Sequence, residues 1–225
     1  MEPQITATND LSVAYRRLQA SYQQAMVYAR DVRELYARLQ RASLQGLEGL
    51  ANALEAKDSY TRGHSERVGL YARHTALAMG WSSQLADGIA QAGLLHDIGK
   101  IGVPEAVLHK RGPLSEEEWR VMRGHAIIGS QIVAPFEFFA DGALMIRHHH
   151  ERCDGSGYPD GLLGPNIPPG ARIIAVADVY DALTSDRPYR RALAVAEAIA
   201  DLRRQAGRTL DADAVAAFLG TRRAV

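Results

Sequence analysis

The sequence predicts an all-α protein, a helical bundle preceded by a long N-terminal helix with coiled-coil character, and three observations predict it. Residues 10 to about 54 contain no proline, and glycine appears there only at Gly46 and Gly49, so nothing in that stretch breaks a helix. From Leu47 onward apolar residues recur at helical spacing, and the segments stop at glycines. Glycine and proline collect instead in one stretch, Cys153 to Gly170, which holds five glycines and four prolines and reads as a loop.

The elements follow in chain order. With Asp10 as N-cap, Leu11, Tyr15, Leu18, Tyr22, Ala25, Ala29, Val32, Tyr36 and Leu39 advance by alternating steps of four and three. This is a heptad seam of about four repeats. It suits a parallel dimeric coiled coil; the other reading is an amphipathic helix lying on its own domain. Tyrosine and alanine at core positions make the seam weak, so a dimer would need further contact area. The stretch from Leu47 to Gly80 reads as two or three helices interrupted near Asp58 to Gly63. A helix is expected over about Ser83 to Lys100, ended by Gly99 and Gly102 to Pro104. Ser115 stands three residues before Glu118, the spacing of a capping box, and opens another helix. Ala143 to Glu151 is helical by pattern. Ala171 to Asp186 is ambiguous, because Ile173, Ile174, Val176 and Val179 suit a buried strand as well as a helix. Two short helices close the chain.

Composition excludes several functions. Lysine plus arginine equals aspartate plus glutamate, 26 against 26, so no overall positive field draws in a nucleic-acid polymer. The single cysteine, Cys153, excludes an intramolecular disulfide framework and suits a reducing compartment. No window reaches about 18 continuous apolar residues, so membrane insertion is not expected. A cytoplasmic protein is the resulting expectation.

The chemistry-bearing residues begin with His96 and Asp97, at the end of an apolar helix where a bare charge would be costly to bury. A metal ion would remove that cost. Imidazole with carboxylate suits manganese, iron or zinc, while the lack of thiolates argues against a structural zinc site. Adjacent helical residues diverge by about 100°, so His96 and Asp97 do not serve one point. They can serve two ions lying side by side, with Asp97 as the bridge because a carboxylate has two oxygens. The tandem pair His149–His150 carries the same implication. Read singly, each has a plainer explanation: a surface His–Asp pair, an exposed histidine tract, or, for His125, a residue on a helix surface.

The motifs HDIGK, HHERCDGSGYP and ADVYDALTSDRPYR occur in this order and closely resemble the HD-GYP family of bacterial cyclic di-GMP phosphodiesterases, a branch of the HD-domain metallohydrolases. The resemblance covers about residues 50 to 220, which leaves residues 1–48 as a dimerisation or signalling helix and 49–225 as the catalytic domain. It implies helix for the ambiguous segment. It implies His64, His96, Asp97 and Asp178 as ligands of a first metal and Asp97, His125, His149 and His150 as ligands of a second, with His148 as an accessory residue. Three-metal members carry a glutamate four residues before the first histidine ligand; here that position is Tyr60, which implies two divalent ions, iron or manganese before zinc.

By the same resemblance, Arg187 and Arg190 hold the second phosphate or a guanine. Lys100, expected one turn after His96 on the same face, would neutralise a phosphate oxygen. Asp181 is expected among the catalytic groups, as the partner of a metal ligand or of Lys100, and Asp58 resembles a similar position. Tyr158 is expected either to touch substrate or a partner or to anchor the loop, whose glycines permit positive φ. The implied reaction is hydrolysis of cyclic di-GMP to pGpG and onward to GMP. The alternatives are an HD-type hydrolase of another cyclic dinucleotide, such as cyclic GMP-AMP, and a non-catalytic module that binds cyclic di-GMP, a diguanylate cyclase or a sensor protein.

Overall fold

The computed structural model describes residues 3–57, 63–110, 112–186 and 191–222. Asp58, Tyr60, Arg187 and Arg190 lie outside the described residues, and the expectations placed on them are not addressed further by the fold. The chain divides into two compact units, residues 1–46 and 47–225. The first helix, α1 (Pro3–Lys57), contributes to both.

In the first unit α1 is continuous and begins seven residues before Asp10, which therefore lies inside the helix rather than capping it. No proline or glycine intervenes between Gln4 and Asp10 to stop the helix from extending. The seam residues are open: Leu11, Leu18, Val32 and Leu39 all keep more than 60% of their surface.

The second unit is built from ten α-helical segments among the described residues, the first of them the end of α1. The last turns of α1 enter it through the buried Leu47 and Ala51. Then come α2 (His64–Ala78), α3 (Ser83–Leu95), α4 (Glu105–Leu108), α5 (Glu116–Arg123) and α6 (His125–Val133). α7 (Ala140–His148), α8 (Pro169–Thr184), α9 (Val195–Gln205) and α10 (Ala212–Arg222) complete it. No strand occurs among the described residues, only isolated bridges such as Asp154 to Leu163.

The ambiguous segment is α8, and it runs through the centre of the unit, touching α2, α3, α7, α9 and α10. Ala171, Ile173, Ile174, Ala175, Val176 and Ala177 are all buried. A helix covered on every side has no polar face, so its sequence shows no 3.6-residue period. Pro169 at its start supplies the pre-set φ and lacks the N–H that a first turn leaves unpaired.

α2 and α3 pack most extensively, and they cross at glycines. A Cβ on Gly69 would lie 2.7 Å from the Ala90 carbonyl oxygen, and one on Gly93 would lie 3.1 Å from Gly69 Cα. α2 is capped at Met79, with Gly80 in the left-handed region, φ 82°, as its sequence indicates. The Ser115 and Glu118 capping box is formed at the start of α5.

α3 departs from expectation. It ends at Leu95, not Lys100; Asp97 has φ −97° and ψ 3°, and residues Ile98–Gly102 form a 3-10 turn. The reason is the approach of this turn to α6. A Cβ on Gly99 would fall 1.9 Å from the His125 carbonyl oxygen and 2.4 Å from Gly129 N. Backbone meets backbone there, and a regular helix carried through Gly99 would not reach it.

Candidate metal centre

Four helix ends and one helix centre deliver the site. His64 opens α2, His96 and Asp97 follow α3, His125 opens α6, His149 and His150 follow α7, and Asp178 lies in α8. Helix ends leave side chains free of the neighbouring turn, so residues adjacent in sequence can face the same space. That is how His96 with Asp97, and His149 with His150, come to share one centre.

The side chains form two groups. His64, His96 and Asp178 place their ligand atoms within 4.8 Å of one another, and so do Asp97, His125, His149 and His150. Asp97 links them. Its Oδ1 faces His125 Nε2 at 3.4 Å, while its Oδ2 lies 3.4 Å from His96 Nε2 and 3.9 Å from His64 Nε2. The two oxygens of one carboxylate are thus turned to different groups. His64 Nε2 also lies 3.5 Å from Asp178 Oδ1.

Outer hydrogen bonds decide which ring atom each histidine presents. Nδ1 of His96, His125 and His149 lies 2.6–2.7 Å from the carbonyl oxygens of Gly93, Met122 and Ile146, each three residues back. A carbonyl only accepts, so these Nδ1 atoms carry the hydrogen and Nε2 is left as a bare lone pair in the neutral ring. His64 Nδ1 is paired in the same way with Asp181 Oδ2 at 2.7 Å. The lone pairs converge: His64 Nε2 is 3.3 Å from His96 Nε2, and His125 Nε2 is 3.4 Å from His149 Nε2. Buried acceptors facing acceptors, with two carboxylates among them, are complementary to cations. The donor set therefore fits divalent metal ions, and its nitrogen and carboxylate composition matches manganese, iron or zinc.

The titration properties agree. Burial, with the neighbouring His96 and His125, lowers His149 to about 3, and burial with His149 and His125 lowers His150 well below its ordinary value. His125 is lowered as well, chiefly by burial. These rings are neutral at neutral pH, the form that binds metal. His64 is raised: burial pulls it down, but the Asp181 hydrogen bond and the Asp178 and Asp97 charges outweigh that. Burial pushes Asp97 up, yet Lys100 and the surrounding histidines hold it well below the usual carboxylate range, so it is ionised.

The fold fixes the partners of Lys100 and Asp181. In the 3-10 turn the Lys100 Nζ reaches Asp97 Oδ2 at 2.5 Å, because three residues per turn put positions 97 and 100 in line. Asp181 does not reach the open side of the centre. It is buried behind His64, accepts from Arg67 Nε at 2.6 Å as well, and is lowered to about 2 by those two partners acting against burial. It orients the His64 ring, one of the two roles expected of it, and also meets Arg67. His148 stays outside both groups, bonding the Leu144 carbonyl and Asp160.

The loop after the histidines lies against the second group. The Tyr158 ring tilts over His150 with centroids 4.7 Å apart, and its hydroxyl pKa is raised by burial and by Asp97 and Asp178. Of the loop glycines, Gly155 and Gly161 have positive φ. Glu151 and Arg67 are missing from the sequence reading. The Glu151 carboxylate is buried and accepts from the backbone N–H of Asp160, Gly161 and Leu162 at 2.7, 3.1 and 3.0 Å, which ties the loop back to the histidines. Its only signal in the sequence is an acidic residue directly between the histidines and a glycine-rich stretch. Arg67 has the weaker signal of standing one turn after His64.

An all-helical fold enclosing a double histidine–aspartate centre defines a class of metal-binding HD proteins. The chain belongs to the HD domain family, whose pattern it matches over residues 48–214, and its motifs are those of the HD-GYP group. It is 46% identical over 175 residues to the cyclic di-GMP phosphodiesterase response regulator RpfG of Xanthomonas campestris pv. campestris, covering 77% of this chain and 46% of that protein. It is 42% identical to 3'3'-cGAMP-specific phosphodiesterase 3 of Vibrio cholerae, over 73% of this chain and 36% of the relative. Among solved structures, the HD-type protein Bd1817 of Bdellovibrio bacteriovorus superposes with a TM-score of 0.58 at 22% identity, covering 71% of this chain and 51% of that one. The chain spans less than half the length of these two sequence relatives. No described helix is long and apolar enough to cross a membrane.

Proposed function

We propose that this chain is a metal-dependent phosphodiesterase that hydrolyses cyclic di-GMP to pGpG, with onward cleavage to GMP. The observation that carries the reading is the position of Asp97, whose two oxygens face two separate histidine groups. Two divalent ions, iron or manganese, would be held by His64, His96, Asp97 and Asp178 on one side and by Asp97, His125, His149 and His150 on the other. When bound, such ions supply Lewis-acid charge and acidify water for attack on phosphorus. The names of the relatives in Xanthomonas and Vibrio support a cyclic dinucleotide as substrate.

The chain's own residues do the rest. Asp181 and Arg67 hold His64 with Nε2 turned inward. Backbone carbonyls do the same for His96, His125 and His149. Lys100 keeps Asp97 ionised and places a cation where a non-bridging phosphate oxygen would need one. Arg187 and Arg190 are assigned to the second phosphate or a guanine, and Tyr158 to the substrate-facing wall. Residues 1–48 are assigned to pairing with a second copy through the exposed seam, with a diguanylate cyclase or a sensor as further partner.

The test is anaerobic purification, metal loading, elemental analysis and product analysis with cyclic di-GMP. About two ions per chain and pGpG formation are expected, with both lost in Asp97→Ala. Metal bound without product, and Asp97→Ala indistinguishable from the parent, would refute the reading. A second reading, hydrolysis of 3'3'-cGAMP, is favoured by the 42% identity with the Vibrio enzyme of that specificity. Competition between the two cyclic dinucleotides in one reaction separates them.

A further inference from the structure

A surface cleft opens beside the second histidine group, between α5 and the loop that carries Tyr158. Glu116, Arg120, Arg123, Ile127, Tyr158 and Pro159 line it. Side chains in and beside it form a ladder leading away from the metal centre. His150 lies under Tyr158 with centroids 4.7 Å apart; the Arg123 guanidinium carbon is 5.6 Å from the Tyr158 ring centre and 5.7 Å from that of Trp119. Trp119 lies beyond the lining and joins the series only through Arg123, and it keeps 41% of its surface exposed.

Neither Arg120 nor Arg123 forms an ion pair with a carboxylate among the described residues, and both are exposed. Long cationic side chains without a partner cost nothing in place and are available to an anion. An exposed indole costs more, because tryptophan is normally well covered. Flat cationic and aromatic surfaces in series, with cations beside them, are the chemistry that receives a nucleobase and its phosphate. Glu116 adds selectivity. A carboxylate only accepts, so it suits the N1–H and N2–H₂ edge of guanine and opposes adenine, whose N1 is itself an acceptor.

We propose that this cleft is the nucleobase subsite of the centre: a guanine stacks on the Arg123–Trp119 end of the ladder, Arg120 and Arg123 neutralise the adjoining phosphate, and Glu116 reads the guanine edge. The inference rests on the cyclic dinucleotide reading of the metal centre and assigns residues outside it.

The experiment uses the metal-loaded full chain, which has only Trp81 and Trp119 as indoles. Stopped-flow mixing with cyclic di-GMP should quench tryptophan emission, and Trp119→Phe should abolish the quench. Arg120→Gln and Arg123→Gln should each raise KM for cyclic di-GMP about tenfold, with the effect on KM exceeding that on kcat. Glu116→Ala should narrow the preference for cyclic di-GMP over cyclic di-AMP. Metal content and circular dichroism identify any variant that has lost its fold, and Arg123→Lys then takes the place of Arg123→Gln. A quench that survives Trp119→Phe, or KM unchanged in both arginine variants, overturns the subsite. Quenching that depends on Trp119 without hydrolysis overturns the phosphodiesterase reading and leaves the subsite standing; hydrolysis without the quench does the reverse.

Discussion

Asp97 and Glu151 are both acidic residues next to histidines, yet they perform opposite tasks. Asp97 turns its oxygens toward convergent lone pairs and gains from a cation between them. Glu151 turns both oxygens to three successive backbone N–H groups and so ties down the loop. Replacing Glu151 by glutamine would turn an N–H donor against those donors. We expect a loss of about 1–3 kcal/mol, read as a lower urea midpoint with unchanged slope. Asp97→Asn has two expected outcomes: metal content falls to the background of a blank, and the metal-free protein also loses stability, because Lys100 and the histidines that hold the carboxylate ionised lose their partner. The pairing of Asp181 with His64 belongs to this scale as well. Its spacing of three from Asp178 in α8 was readable, but which of the two carboxylates faces Nε2 and which faces Nδ1 depends on where α2 begins.

At the scale of elements, the centre depends on two close backbone approaches. The crossing at Gly69 and Gly93 sets α2 beside α3 and so His64 beside His96. The contact at Gly99 brings the 3-10 turn onto α6 and so Asp97 to His125. A Cβ 1.9 Å from the His125 carbonyl oxygen cannot be relieved by a rotamer change, because both sides are backbone. Gly99→Ala should therefore cost about 1–3 kcal/mol and should lower metal occupancy of the second group more than the first, which calorimetric titration of metal into the stripped protein would resolve as loss of one phase. Unequal loss is the informative result, since simple destabilisation would weaken both phases alike. The end of α3 at Leu95 follows from the same contact. Its sequence carries helix signals through Lys100, and tertiary packing overrides them.

For the whole molecule, the histidines make stability depend on pH in the metal-free state. His125, His149 and His150 are lowered below 6.5 in the folded protein, so the unfolded chain binds more protons between their folded values and 6.5. Stability then rises with pH across that window. His64 is raised above 6.5, and its contribution, complete below 6.5, is lost as pH rises through its folded value. The metal-free protein should thus gain stability up to about pH 6.5 and lose a smaller part above it, with denaturant midpoints across pH 5–9 as the measure. Metal loading should remove the decline above pH 6.5, because a bound cation replaces the His64 proton. A separate prediction concerns residues 1–45: their removal should convert a dimer to a monomer in light scattering, and an unchanged mass would exclude the seam as the dimer contact.

The sequence by itself determined the helical class, the order of the motifs and the residue types of the centre. Those depend on local signals: apolar period, glycine and proline placement, and histidine and aspartate in a recognisable sequence pattern. The unbroken run from residue 10 to 54 and the Ser115 capping box were legible for the same reason. Periodicity could not assign α8, since a segment buried on all sides carries no period; the motif resemblance implied helix there, and the tertiary structure bears it out. Tertiary structure alone decided where α3 stops, that Lys100 meets Asp97, and that Glu151 and Arg67 support the site. Each of these depends on a contact between residues far apart in the chain, and no local pattern records the distance across such a contact.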